Sequence, residues 1–211
     1  MKHNNAINEV IREENDEFNA TWINAHDFVG GEAVPKSELD VSEATKLDAS
    51  PFMVVWLKNI ERLCGMFNKS YDYKDFVLLD VGCGSGISTL FFNHKYPFKR
   101  FFGFDFSAKL IGMAENNKVI ASTNDFDVSK VDFKVADAKK VKLGSERNAI
   151  FMFNPFGWET MRIFIENNTD MLKETQSVLL YANDICIEEM LEYGAIVERD
   201  DFYNLSLISF G

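Results

Sequence analysis

The tightest constraint on this chain is residues 76–86, Phe-Val-Leu-Leu-Asp-Val-Gly-Cys-Gly-Ser-Gly, followed by 87–96. Apolar residues 76–79 with Val81 suit a parallel strand covered on both faces. Gly82, Gly84 and Gly86 alternate, so the backbone can turn sharply there and come close to a ligand. Ile87, Leu90, Phe91 and His94 then follow at helical spacing, and the residue before Pro97 ends the helix. A strand, a glycine turn and a helix in that order aim backbone N–H groups and a helix N-terminus at a bound group.

The rest of the chain alternates in the same way. Strands are expected at 76–81, 100–105, 132–137, 149–154, 177–182, 195–200 and 203–209, and helices at 87–96, 107–121, 158–172 and 185–193. Such alternation predicts a doubly wound α/β fold with a mostly parallel seven-stranded sheet. The last two strands are too close for a helical crossover, so the final strand should run antiparallel. Ahead of this core, 6–22 reads as an amphipathic helix with Ile7, Val10, Ile11, Phe18 and Trp22 on one side. Residues 26–50 read as a loop or partly ordered cap. Ser50-Pro51 reads as a helix start, with a stripe of Phe52, Val55, Trp56, Ile60, Leu63 and Phe67 behind it. Two units follow: an N-terminal helical cap, 1–70, and an α/β core, 71–211.

Composition narrows the function. The chain has 211 residues and a formal net charge of −11. That charge speaks against nucleic acid as partner, because such binding depends on neutralising phosphates. No apolar run has the ~20 residues of a membrane helix. Cys64, Cys83 and Cys186 match no zinc spacing and no disulfide framework, which excludes a metal site from the expectation and suits a reducing cytoplasm. Oligomeric state is left open.

In open α/β sheets the ligand lies beyond the carboxyl ends of the strands. There the sequence puts Asp80 and the glycine turn, then Asp105, then Asp137 with Ala138, then Asn154-Pro155-Phe156. Asp105 is suited to accept from both hydroxyls of a ribose, and Asp137 from an exocyclic amine such as that of adenine. A dinucleotide fingerprint would want its third glycine where Ile87 stands, and a phosphate loop would want a Gly-Lys-Ser/Thr that is absent. A nucleoside with a cationic or neutral tail fits better than a phosphate-rich ligand.

Leu79-Asp80-Val81-Gly82-Cys83-Gly84-Ser85-Gly86 resembles motif I of the class I S-adenosylmethionine-dependent methyltransferases. Gly103-Phe104-Asp105-Phe106-Ser107 is similar to their second-strand acid motif, and Ala136-Asp137-Ala138 to their adenine-side acid. Asn154-Pro155-Phe156 and Tyr181-Ala182-Asn183 resemble a small subgroup of such enzymes. The resemblance covers about residues 76–211. It implies S-adenosyl-L-methionine as cofactor, with Gly82, Cys83, Gly84 and Gly86 under the methionine and ribose portion. It implies Asp80 toward the methionine amino group, Asp105 toward the ribose, Phe106 beside the adenine, Asp137 and Ala138 at the adenine amine, and Asn154, Pro155 and Phe156 on the methyl and acceptor side. The subgroup hints at a small-molecule or glycan acceptor, methylated on oxygen or nitrogen.

Phe28, Phe156 and Trp158 are candidates for an aromatic face near the sulfonium, and His26 for a general base in the cap. Asn-Pro-Phe also invites comparison with the Asn-Pro-Pro-Phe/Tyr of DNA and protein amino-methyltransferases, but the second proline is missing. Three alternatives stand beside the main reading: a non-catalytic cofactor-binding or assembly protein, a protein or amine N-methyltransferase, and an aminopropyl transferase. The last would call for an acidic acceptor cluster that the sequence does not show.

Overall fold

The structure, a computed structural model, describes residues 2–38, 48 and 50–211, with the backbone alone for 2–8 and 36. The loop expected at 26–50 therefore lies partly outside the described residues, as does the side chain of Ile7.

Among the described residues seven strands form one sheet, in the order β3-β2-β1-β4-β5-β7-β6. They are β1 (Val77–Val81), β2 (Phe101–Asp105), β3 (Val131–Val135), β4 (Asn148–Met152), β5 (Val178–Ala182), β6 (Ala195–Asp200) and β7 (Leu205–Ser209). β1 to β5 are parallel, whereas β7 runs antiparallel to both β5 and β6. This is the Rossmann-like sheet with a reversed last strand that the alternation predicts.

Alternate residues of the central strands serve opposite faces. Leu78 of β1 and Ala149 and Phe151 of β4 join one core. Leu79, Val81, Ile150 and Met152 join the other. The first core receives α1 (Lys2–Ala25), α2 (Leu57–Phe67), α3 (Ile87–Lys95) and α4 (Ala108–Thr123). The second receives α5 (Trp158–Glu166), α6 (Thr169–Glu174) and α7 (Ile187–Met190). Both faces are thus covered, which is why β1, β4 and β5 are apolar almost throughout.

Helix boundaries depart from expectation at three places. The helix expected from Ser50-Pro51 begins only at Leu57. Phe52 instead pairs with Val34 in an isolated antiparallel bridge, and the Ser50 amide donates to the Pro155 carbonyl at 3.2 Å. The helix expected over 158–172 breaks into α5 and α6 at Asn168. The buried Asn168 amide donates to the carbonyls of Phe164 and Val141 and accepts from the Leu143 amide, so its side chain competes with the helical ladder. The helix expected over 185–193 shrinks to four residues, Ile187–Met190. On α1, Trp22 is buried while Val10 is exposed. The inward face instead carries Asn15, which is buried, and Asn19, whose side chain joins the Val55 carbonyl and the Leu57 amide at 2.8 Å each.

The strand order reverses direction between β1 and β4, and the turns after those two strands open at the same end of the sheet. That crevice is where an open α/β sheet offers a ligand site.

Candidate functional site

Gly82, Gly84 and Gly86 all have positive φ, at +74°, +55° and +76°, a region costly for other residues. Space adds a second constraint. A Cβ on Gly82 would collide with Pro155, one on Gly84 with the Phe52 ring, and one on Gly86 would lie 2.6 Å from the Phe133 ring. The turn is pinned by its backbone: the amides of Gly82 and Cys83 donate to the Phe104 carbonyl at 2.9 and 3.0 Å. The Gly84 amide donates to Asp105 Oδ2 at 3.1 Å, and the Ser107 amide to Asp105 Oδ1 at 2.9 Å. One carboxylate therefore ties the glycine turn to the start of α4, where Ser107 caps the helix by accepting from the Leu110 amide.

Asp80 sits beneath the turn and is buried. The hydroxyls of Ser88 and Thr89 each donate to its Oδ2 at 2.6 Å. Burial is the main cause that raises its pKa to about 6, and the neighbouring Asp105 charge pushes the same way against the two hydroxyls. Burial likewise pushes the Cys83 thiol up, with both aspartates adding to the effect. Cys83 is thus a packed neutral side chain rather than a thiolate.

Two cavities open on this turn. The larger, about 310 Å³, lies among Asp80, Gly82, the strap of residues 50–55, and the ends of β4 and β5. The smaller, about 190 Å³, lies among Phe104, Asp137, Ala138, Phe156 and Thr160. Gly82, Asp105 and Phe106 line both, so the buried carboxylate of Asp105 stands on the wall between them. Each oxygen of Asp105 accepts from one backbone amide. Asp137 accepts from the Lys139 amide at 3.0 Å and starts a 3-10 turn at Ala138–Lys140.

A ligand suited to this layout has two lobes that meet beside the Asp105 carboxylate. A glycine turn where added methyls would collide leaves room for a close backbone approach. These residues fit an adenosyl group with a short charged tail, and among the described residues no group of three or more His, Cys, Asp or Glu could hold a metal ion.

The Asn154 carboxamide is held on both sides. Tyr181 Oη donates to its Oδ1 at 2.9 Å, and its Nδ2 donates to the Asn183 carbonyl at 2.5 Å. Both asparagines have positive φ, +41° and +54°. The next loop residues are clamped by Asp48, whose carbonyl accepts from the Gly157 amide at 2.8 Å and whose carboxylate accepts from the amide and hydroxyl of Thr160.

The structure thus gathers Asp80, Gly82, Cys83, Asp105, Phe106, Asn154 and Pro155 around the larger cavity and Asp137, Ala138 and Phe156 around the smaller. Gly84 and Gly86 complete the turn. Three sequence candidates fall elsewhere. Phe28 is buried against Trp22 and Phe126. His26 stacks on Phe28 with its Nδ1 2.7 Å from the Trp22 carbonyl, and it lines neither cavity. Trp158 packs toward Tyr193 and also lines neither. Conversely, Phe52, Met53 and Ile185 line the larger cavity and were not among the sequence candidates. Phe52 falls within an apparent helical stripe of the sequence, and no local pattern marks Met53 or Ile185.

Residues 78–179 match a family model described as a methyltransferase domain. No curated protein matches. Among solved structures the chain is similar to a proposed RNA methyltransferase of Pyrococcus horikoshii, at 14% identity over 82% of this chain and 88% of that one, with a TM-score of 0.53. A proposed rRNA methylase of Clostridium thermocellum gives 15%, 72%, 93% and 0.52. An RNA methyltransferase of Salinibacter ruber, solved with S-adenosyl-L-homocysteine, gives 14%, 71%, 90% and 0.46. At such identities the likeness concerns the fold. The matched segment holds the glycine turn, Asp105 and Asp137, and with it the chain carries a methyltransferase domain.

Proposed function

We propose that the chain methylates an oxygen or nitrogen of a small-molecule or glycan acceptor, with the cofactor held across the two cavities. The observation that carries this reading is Asp105 on the wall between them, beside the glycine turn at the switch point of the sheet. Asp105 would take the ribose hydroxyls, with Phe106 at the base. Asp137 and Ala138 would receive the adenine edge, and Phe156 would close that cavity. Asp80, Gly82, Cys83, Gly84 and Gly86 would hold the methionine portion. Asn154 and Pro155 would face the methyl side.

Held by these residues, the cofactor would supply a methyl group from a sulfonium, for displacement by an acceptor oxygen or nitrogen that gives up its proton to water. For such a displacement the protein's task is chiefly positioning and exclusion of water. Asn154 supports a positioning role, since its carboxamide is already engaged by Tyr181 and Asn183. That engagement does not favour the planar-amine clamp of the amino-methyltransferases. Residues 1–70 would serve as a cap on the core. Ser85 Oγ donates to the Gly30 carbonyl at 2.9 Å, and Asn117 binds both backbone groups of Val29, contacts that join this segment to the glycine turn. No helix among the described residues is long and apolar enough to cross a membrane, and a cytoplasmic enzyme fits its three free cysteines. Calorimetry with S-adenosyl-L-homocysteine tests the cofactor site; wild type should bind and Asp105→Ala should bind at least tenfold more weakly.

A further inference from the structure

We infer that the acceptor is a small molecule with an apolar body and no phosphate, seated between the strap before α2 and the loop after β5. This rests on the methyl-transfer reading and adds the class of acceptor to it. With Asp105 between the cavities and Asp137 in the smaller one, the acceptor end of the larger cavity lies toward β4 and β5. Its walls there are Met53 and Val54 of the strap, Phe153 after β4 and Ile185 after β5. Asn154 and Asn183 supply the polar groups, and Asn154 is engaged with Tyr181 and with the Asn183 carbonyl.

Charge separates the acceptor classes. Among the described lining residues there is no Lys, Arg or His, and the carboxylates are Asp80 and Asp105. Among these described residues a phosphate would meet two carboxylates, whereas phosphate recognition relies on Arg, Lys or unpaired N–H groups. The N–H groups of Gly82, Cys83 and Gly84 are already given to the Phe104 carbonyl and to Asp105. A neutral or cationic acceptor meets no such penalty.

Exposure points the same way. Met53 is 55% exposed and Ile185 71%, and both line this one cavity. Large apolar side chains left to solvent on the two sides of a cavity gain by covering an apolar ligand. The polar end of the acceptor, bearing the oxygen or nitrogen, then points inward to the Asn154 and Asn183 level.

The test uses the full chain saturated with S-adenosyl-L-homocysteine and titrated in a calorimeter with 4-butylphenol, 4-butylaniline, 4-butylphenyl phosphate and a ten-residue oligouridylate. At least one neutral probe should bind, with the phosphate ester at least tenfold weaker and the oligouridylate weaker still. Ile185→Asp, at an exposed position, should weaken the neutral probe tenfold or more and change S-adenosyl-L-homocysteine affinity less than twofold. Tighter binding of the phosphate ester or the RNA overturns the inference. So does a folded protein that binds S-adenosyl-L-homocysteine but neither neutral probe, or neutral binding that ignores Ile185→Asp. Failure to bind S-adenosyl-L-homocysteine instead brings down the methyl-transfer reading beneath it.

Discussion

The Gly84 amide donates to Asp105 Oδ2 at 3.1 Å, so the acid that faces both cavities also holds the glycine turn in shape. Asp105→Ala should act on both. It orphans the buried amides of Gly84 and Ser107, and an unsatisfied buried group costs about 1–3 kcal/mol. Urea unfolding should show a loss of about that size. Calorimetry on the variant well below its melting temperature should show S-adenosyl-L-homocysteine bound at least tenfold more weakly. Unchanged affinity would remove Asp105 from the cofactor site.

Phe52 roofs Gly84 closely enough that a Cβ at 84 would collide with a carbon of its ring. Gly84→Ala should therefore lose about 1–2 kcal/mol for the left-handed φ alone, and more because the ring must move. Phe52→Ala removes the second part and leaves the first. In a double-mutant cycle the paired variant should be less destabilised than the sum of the single variants. Additive losses would show that the ring is not the obstacle.

Asp80 gives a pH signature. Its folded pKa of about 6 lies above the value near 4 of an exposed carboxyl, and burial is the main cause. The folded state thus binds the proton more tightly than the unfolded state. Its stabilising contribution is complete below about pH 4 and is lost as pH rises through 6. By then the loss amounts to about 3 kcal/mol. Asp80→Asn should flatten this part of the stability profile between pH 4 and 7, as read by thermal unfolding. In wild type, cofactor affinity should rise across the same window if, as proposed, the Asp80 carboxylate holds the methionine amino group. A stability profile identical in both proteins would contradict the assignment.

Tyr181 is buried and donates to Asn154 Oδ1 at 2.9 Å. Tyr181→Phe should cost about 1 kcal/mol. Asn154→Ala added to it should cost less than in the wild-type background, because the shared hydrogen bond is already gone. Both effects can be read from urea midpoints.

What the sequence disclosed follows from how local each cause is. The glycine turn, the helix start near 107 and the two-sided apolar strands are set by residues within a few positions, and each stands where its pattern places it. The strap does not. Ser50-Pro51 has the chemistry of a helix start, yet Val34, Pro155 and Asn19, all remote in sequence, hold residues 50–57 otherwise. The break at Asn168 likewise depends on Val141 and Leu143. Met53 and Ile185 meet only because the strap and the β5 loop converge on one cavity, so no spacing could pair them. His26 has the chemistry of a base, yet it packs on Phe28 and Phe126 and lines neither cavity.

The most direct measurement is calorimetric titration of the full chain with S-adenosyl-L-methionine and with S-adenosyl-L-homocysteine, at pH 7.5, on protein shown to be folded by its circular dichroism. One-to-one binding of both, lost or strongly weakened in Asp105→Ala, is the predicted result. A folded protein that binds neither would contradict the account at its centre.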